Sequence, residues 1–357
     1  MRVLHFGTYE REYPRNAQVI SCLRGAGVEV LERHVSLWET ERHKFSPGMR
    51  TLVRAIGAEA RLAFGSVLDA DVLMVGYPGH LDMLAAKRIA HGRPVVFNPL
   101  VSLEDTMVGD RRLVRRRSLT AAAMRFADRT AFRGADLVVA DTAAHARYFA
   151  DRFELPSDRV AVCYVGAEDR LFKPGSREVG GFHALFVGKL IPLHGLETIL
   201  AASRLCPEIE FRIVGSGQLE DLITDRPPNA RWEAWVDYEV LPDLYRSAGC
   251  ALGIFGTSEK AARVIPNKAY QALATGTPLI TADTAGAREL LSHEHDALLV
   301  PAGNPEALAA AVRRMAGDSA LRDELGSRGR ITYEMHASER ALGRRWRTLL
   351  EGLISRR

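Results

Sequence analysis

The stretch FVGKLIPLHGLETI, residues 186–199, runs from the end of an apolar strand through Gly188 and Lys189 into a short loop, then through His194 and Gly195 into a helix. A glycine at a strand end lets the backbone approach a ligand closely. The unpaired N–H groups of the following helix make an anion site, to which Lys189 and His194 add charge or donors. An ordinary β–α turn with a surface lysine has the same outline, so the pattern needs support from the rest of the chain.

Outward from that turn, short apolar runs alternate with amphipathic segments. Strands are expected at 2–6, 28–32, 71–75, 94–98, 136–140 and 160–165, then at 182–187, 210–214, 230–234, 250–255, 278–282 and 297–300. They lack polar alternation, as parallel strands covered on both faces do. Helical patterns at 48–64, 111–133, 195–205, 264–274 and 305–316 separate them. Strand, helix, strand repeated in this way predicts an α/β fold with right-handed crossovers. The Gly-, Pro- and charge-rich segment 166–181 reads as a linker between two Rossmann-like, doubly wound parallel-sheet domains facing a cleft. The boundaries are 1–170 and 181–337, and a last helix at about 338–357 crosses back to the N-terminal domain.

The 357 residues suit two domains; they are 47% hydrophobic and 26% charged, with a net charge of +4, ordinary for a soluble globular protein and too small to imply nucleic acid. Four widely spaced cysteines among apolar neighbours read as reduced, buried thiols, and no apolar run is long enough to span a membrane. A cytoplasmic protein is the expectation. The excess of basic residues lies in the N-terminal half, much of it in DRRLVRRRS (110–118), with Arg111, Arg112, Arg115, Arg116 and Arg117. That cluster is either a solvated helix face or a peripheral contact with anionic lipid headgroups on the cytoplasmic side.

Two further turns in the second half carry chemistry. IVGSGQLE (213–220) has Gly215 and Gly217 but Glu220 where a dinucleotide fingerprint needs its third glycine, which argues against a nicotinamide cofactor. In LGIFGTSEKAARVIPNKAYQALATGTP (252–278), Pro266 starts a helix that carries Asn267, Lys268 and Gln271 and stops before Gly276. A lysine at the positive end of a helix dipole is unfavourable unless an anion lies between them. Gln271, three residues on, shares that face. The turn ADTAGARE (282–289) brings Gly286 and Glu289 to the next strand end.

On these residues the chain resembles the retaining, nucleotide-sugar-dependent glycosyltransferases of family 4, which have the GT-B fold; the likeness is strongest over about 183–317. The family's basic pair for the donor diphosphate falls on Lys189 and His194 in VGKLIPLHG. Its Glu-(seven residues)-Glu motif falls on Arg263 and Gln271, ahead of a matching ALATGTP tail, and VIPNKAY is similar to a P-x-K variant in which Lys268 meets phosphate. The resemblance implies retaining transfer of a sugar from a UDP- or GDP-sugar to an acceptor hydroxyl, in glycan, glycolipid or glycoconjugate biosynthesis, with a sugar, lipid-linked or small-molecule acceptor. It implies no metal and no other cofactor, basic side chains and helix dipoles taking the cation's place.

The catalytic candidates are Lys189, His194, Lys268 and Asp105. Donor contacts are expected from Gly7, Gly188, Gly215, Gly217, Trp235, Val236, Arg263, Pro266, Asn267, Gln271, Gly286 and Glu289. Trp235 stacks on the base or packs in the core, and Glu259 is available as the carboxylate that Arg263 displaces. Acceptor contacts are expected from Thr8, Tyr9, Arg15 and Asn16 in the loop after the first strand, and from Ser102 and Glu104 after the fourth. The NPLVSLEDT segment (98–106) either orients an acceptor hydroxyl or caps the next helix. His80 and His91 flank a helix and read as surface residues. An epimerase or phosphorylase on the same fold, and a non-catalytic sugar-nucleotide binder, are the competing readings.

Overall fold

The computed structural model describes residues 1–37, 49–64, 69–175 and 181–356. Residue 48 of the expected helix 48–64, residues 176–180 of the expected linker and Arg357 lie outside the described residues. The chain divides into two compact units, Met1–Tyr164 with Glu339–Arg357, and Val165–Ser338.

The first unit holds β1 (Arg2–Gly7), α1 (Pro14–Gly25), β2 (Glu29–His34), α2 (Met49–Phe64), β3 (Val72–Val75), α3 (Asp82–Ile89) and β4 (Val95–Phe97), followed by α4 (Leu119–Gly134), β5 (Leu137–Ala140), α5 (Ala143–Phe153) and β6 (Val160–Val162). Its parallel sheet has the order β2-β1-β3-β4-β5-β6, so chain direction across the sheet reverses between β1 and β3. The second unit holds β7 (His183–Val187), α6 (Leu196–Leu205), β8 (Glu210–Val214), β9 (Ala230–Glu233), α7 (Leu241–Ser247), β10 (Cys250–Leu252), α8 (Asn267–Thr275), β11 (Leu279–Ala282), β12 (Leu298–Val300), α9 (Pro305–Gly317) and α10 (Ser319–His336). Its sheet is also parallel, ordered β12-β11-β10-β7-β8-β9, and reverses between β7 and β10. In open α/β sheets the carboxyl ends of strands at such a reversal are where ligands bind.

The last helix, α11 (Glu339–Ser355), packs against α1, with Trp346 and Leu350 fully buried in the first unit's core. Residues 165–175 fold with the second unit rather than with the first domain or a linker. Phe172 is fully buried there, and the Tyr333 hydroxyl donates to the Ala167 carbonyl at 3.0 Å and to the Asp169 carboxylate at 2.6 Å. None of the four cysteines is in a disulfide, and all are buried.

The expected helix 111–133 begins only at Leu119, as α4; an arginine-rich turn, itself preceded by a π-turn over Asp105–Asp110, takes its first residues. Arg112 sits in the left-handed region at φ 54°, which breaks a helix, and the Ser118 hydroxyl restarts one by accepting from the Ala121 N–H at 3.1 Å. Helices α5, α9 and α10 begin in the same way, on Thr142, Asn304 and Asp318.

His5, on β1, is fully enclosed, with Tyr9 edge-on at 4.2 Å between ring centroids. Burial pushes its imidazole down from the ordinary 6.5 to about 4. Between those values the unfolded chain takes up a proton that the folded chain refuses, so stability is lost as pH falls from about 6.5 towards 4. The expected loss is about 3 kcal/mol. Urea unfolding midpoints measured across this range should show it, and His5→Gln should flatten it.

Candidate functional site

The clearest constellation lies at the reversal point of the second sheet. Gly188 follows β7 at φ 153°, and a Cβ there would stand 2.7 Å from Lys268 Nζ and 3.2 Å from His194 Cε1. The structure thus brings Gly188, His194 and Lys268 together from two separate stretches of chain. Lys268, the second residue of α8, is only 5% exposed, and its Nζ has no hydrogen-bond partner. It lies 4.0 Å from the centre of the Phe186 ring, a cation–π contact that offsets part of its burial. Burial holds this amine well below the ordinary lysine range. Neither of the next two features relieves the cost: no acidic residue stands in the first turn of α8, and that end of the helix is itself positive.

Several close backbone approaches hold this corner. Gly215, at φ 134°, leaves so little room that a Cβ would lie 2.0 Å from the Gly188 carbonyl oxygen. The Phe255 N–H donates to the His194 carbonyl at 3.0 Å, joining the loops after β7 and β10. His194 Nδ1 meets the Lys189 carbonyl, an acceptor only, so Nδ1 carries the proton. Lys189 itself is exposed and meets the His194 ring through its backbone carbonyl.

Apart from Gly7, which ends β1 in the first unit, the remaining donor candidates fall in the same unit. Pro266 is the N-cap of α8 and half-buried Asn267 its first residue. Gln271 is buried, and its Oε1 accepts from the Tyr245 hydroxyl at 3.1 Å, so that oxygen is already engaged. Tyr238 also hydrogen-bonds to Gln271. Arg263 pairs with Glu259 at 3.5 Å, so Glu259 is held by the guanidinium. Gly286 seats the turn before Glu289 against the Arg263 backbone, its N–H donating to the Ala262 carbonyl at 2.9 Å. Gly217, at φ 153°, lets its loop pass against Leu190. Trp235 is 73% exposed, which removes the core alternative, and Val236 is half-buried. The tryptophan that packs is Trp232, whose Nε1 donates to the Gly215 carbonyl at 2.8 Å.

In the first unit, most of the expected acceptor residues turn out to hold the fold. Tyr9 is fully buried and donates to Glu32 at 2.9 Å. Arg15 is equally enclosed, bonded to Asn98 and to the Cys163 and Tyr164 carbonyls. Asn16 bridges the Glu10 and Tyr77 backbones. Ser102 donates to Asp128 at 2.8 Å and accepts from the Asp105 N–H at 3.2 Å, capping the turn that follows it, whereas the helix expected after residue 111 is capped by Ser118. Glu104 is paired with Arg125 and Arg152. Asp105 is partly buried at the start of the π-turn. Surface placement of His80 is also overturned: it is buried 3.1 Å from the Asp128 carboxylate, which also takes the Leu103 and Glu104 N–H groups. His91 is exposed.

At the reversal point of the first sheet, Gly7 (φ 133°) packs on Asp82, whose carboxylate accepts from the Thr8 N–H at 2.8 Å and the Thr8 hydroxyl at 2.9 Å. Glu59 on α2 shares a hydrogen bond with Asp82, and burial followed by that neighbouring carboxylate raises its pKa to about 9. The sequence reading missed this acid pair. Its one legible signal was an aspartate opening the helix after β3, with nothing to tie it to Gly7.

The second unit is similar to known proteins. Residues 181–318 match the family model for glycosyl transferases group 1. That match lies wholly within the second unit. The LpsD lipopolysaccharide core biosynthesis glycosyltransferase of Rhizobium meliloti is 28% identical over 144 residues, covering 38% of this chain and 42% of that protein. The D-inositol 3-phosphate glycosyltransferase of Paenarthrobacter aurescens is 26% identical over 228 residues, covering 54% of this chain and 52% of that protein. The chain therefore spans about half the length of these glycosyltransferase relatives. Among solved structures, sucrose-phosphate synthase from Thermosynechococcus elongatus superposes with a TM-score of 0.73 at 17% identity, over 100% of this chain and 99% of that one. HepE of Anabaena, solved with UDP and glucose, gives 0.69 at 15% identity over 99% and 100%. The two parallel-sheet units carry the GT-B type of fold seen in these glycosyltransferase structures.

Proposed function

We propose that the chain is a retaining glycosyltransferase of glycan biosynthesis that moves a sugar from a nucleoside diphosphate to an acceptor hydroxyl without a metal ion. The observation that carries this reading is the buried, unpartnered Lys268 amine beside Gly188 and His194, at the positive end of α8. Protonating an amine left unpaired in a folded protein is costly, and a bound diphosphate would relieve that cost. As the glycosidic bond breaks, negative charge gathers on the leaving diphosphate. Lys268, His194 and the α8 N–H groups would stabilise it, with Lys189 contributing from the surface side. Exposed Trp235 offers a face to the base, and Gln271 and Arg263 replace the two carboxylates expected by the family resemblance. HepE's crystallisation with UDP supports a uridine diphosphate donor. The first unit would take the acceptor, with Thr8 and Asp105 still candidates there.

A thermal-shift panel of UDP, GDP and their sugars tests the reading. A ligand present at a hundred times its Kd stabilises by about 2.7 kcal/mol. Transfer assays with the stabilising donor should then yield a product whose anomeric configuration, read by NMR, matches the donor's. No shift with any nucleotide diphosphate overturns the proposal, and turnover of the donor sugar without an acceptor assigns an epimerase instead.

A further inference from the structure

We propose that the solvent-facing side of α4, with the arginine turn before it, docks on an anionic lipid surface. The inference is independent of the sugar-transfer reading, since it concerns a different face and needs no donor. On α4 the inward residues are Ala121, Asp128, Ala131 and Phe132. The opposite ridge carries Leu119, 91% exposed, and Phe126, 74% exposed, seven residues apart and so on one line of the helix. Ala122 and Ala123 lie exposed between them. Leu113, in the preceding turn, is 55% exposed. An outward apolar ridge two turns long is the reverse of what a helix on a water-facing surface carries.

Charge names the occupant. Between residues 111 and 127 there are six arginines and no aspartate or glutamate. Arg115, Arg116 and Arg117 are exposed immediately before the ridge. The turn is pinned to the helix, since Arg125 donates to the Arg116 carbonyl at 3.2 Å and the Ser118 N–H to the Arg115 carbonyl at 3.0 Å. Basic residues flanking apolar ones on one helix face suit an interfacial helix lying on anionic headgroups, its apolar side chains entering the acyl boundary. A second copy is a poorer occupant, because two-fold self-association would set the arginine turn near its own image. Among the described residues no helix is long and apolar enough to cross a membrane, so the contact proposed is lateral.

The test is co-sedimentation of the full chain with phosphatidylcholine vesicles, with and without one-third phosphatidylglycerol. Binding is expected only with the anionic lipid, weakening as salt is raised. Replacing Arg115, Arg116 and Arg117 together by Ser should lower the partition coefficient about a hundredfold. Leu119→Ser with Phe126→Ser should lower it about tenfold or more and remove the part that survives high salt. All five positions are exposed, and circular dichroism serves as the check that the variants fold. The proposal is overturned by wild-type protein that ignores anionic vesicles at low salt, or by variants that bind as wild type does. A dimer in solution that dissociates in the Phe126→Ser variant would also overturn it, assigning the face to self-association.

Discussion

Lys268→Ala is expected to lower kcat/KM for sugar transfer by about 10- to 150-fold, the factor corresponding to loss of one charge-assisted hydrogen bond of about 1.5–3 kcal/mol. The same residue should act in the opposite direction on stability. In the ligand-free protein its amine is buried, unpartnered and held well below the ordinary lysine value of 10.5 by desolvation. Below 10.5 the unfolded chain binds the proton more tightly than the folded one, so stability rises with pH up to that value and is lost as pH falls through the folded pKa. Lys268→Met, which keeps the length of the side chain and removes the charge, should therefore raise Tm at neutral pH and flatten this dependence. A diphosphate beside the amine would restore its basicity, so UDP binding should take up protons. Calorimetry in buffers of different ionisation enthalpy reads that uptake directly. A Lys268→Ala enzyme with unchanged kcat/KM would remove the residue from the mechanism, and a Lys268→Met protein of lower Tm would show that the buried amine costs nothing.

Gly215→Ala is expected to destabilise the second unit by about 3–6 kcal/mol, combining overpacking with a backbone conformation that only glycine adopts freely. The new Cβ would stand 2.0 Å from the Gly188 carbonyl oxygen, a backbone atom that cannot swing away, at φ 134°. Relieving the clash must push Gly188 off the end of β7 and open the corner that holds Lys268, so donor affinity should fall along with the unfolding midpoint in urea. Gly317→Ala, at the end of α9 with no atom close by, is the control and should leave both unchanged or gain slightly. Equal midpoints for the two variants would show that the β7–β8 corner yields without cost.

Much of the second unit was legible because its signals are local. A strand end, a glycine and a helix start are consecutive in 186–199, and Pro266 to Gly276 marks a helix from cap to cap. The first unit was read less well for the same reason in reverse. Tyr9, Arg15, Asn16 and Ser102 are polar residues at strand ends, as acceptor contacts would be, yet each is bonded to chain far from it in sequence: Glu32, Asn98, Tyr77 and Asp128. His80 was misplaced because its carboxylate partner is 48 positions away on another helix.

By itself the sequence determined the periodicities, the glycines at strand ends and the proline-to-glycine helix, and with them two parallel α/β units and a glycine turn leading into a helix start. Those features depend on φ, ψ preferences and on apolar spacing, which act over a few residues. Only the tertiary structure decided which polar groups were already bonded and which were left over. It spent Tyr9 and Arg15 on the core, turned Lys189 outward and Lys268 inward, and left Leu119 and Phe126 facing water. Satisfaction of a hydrogen bond or a buried charge depends on partners brought close by folding, and separation along the chain carries no record of them.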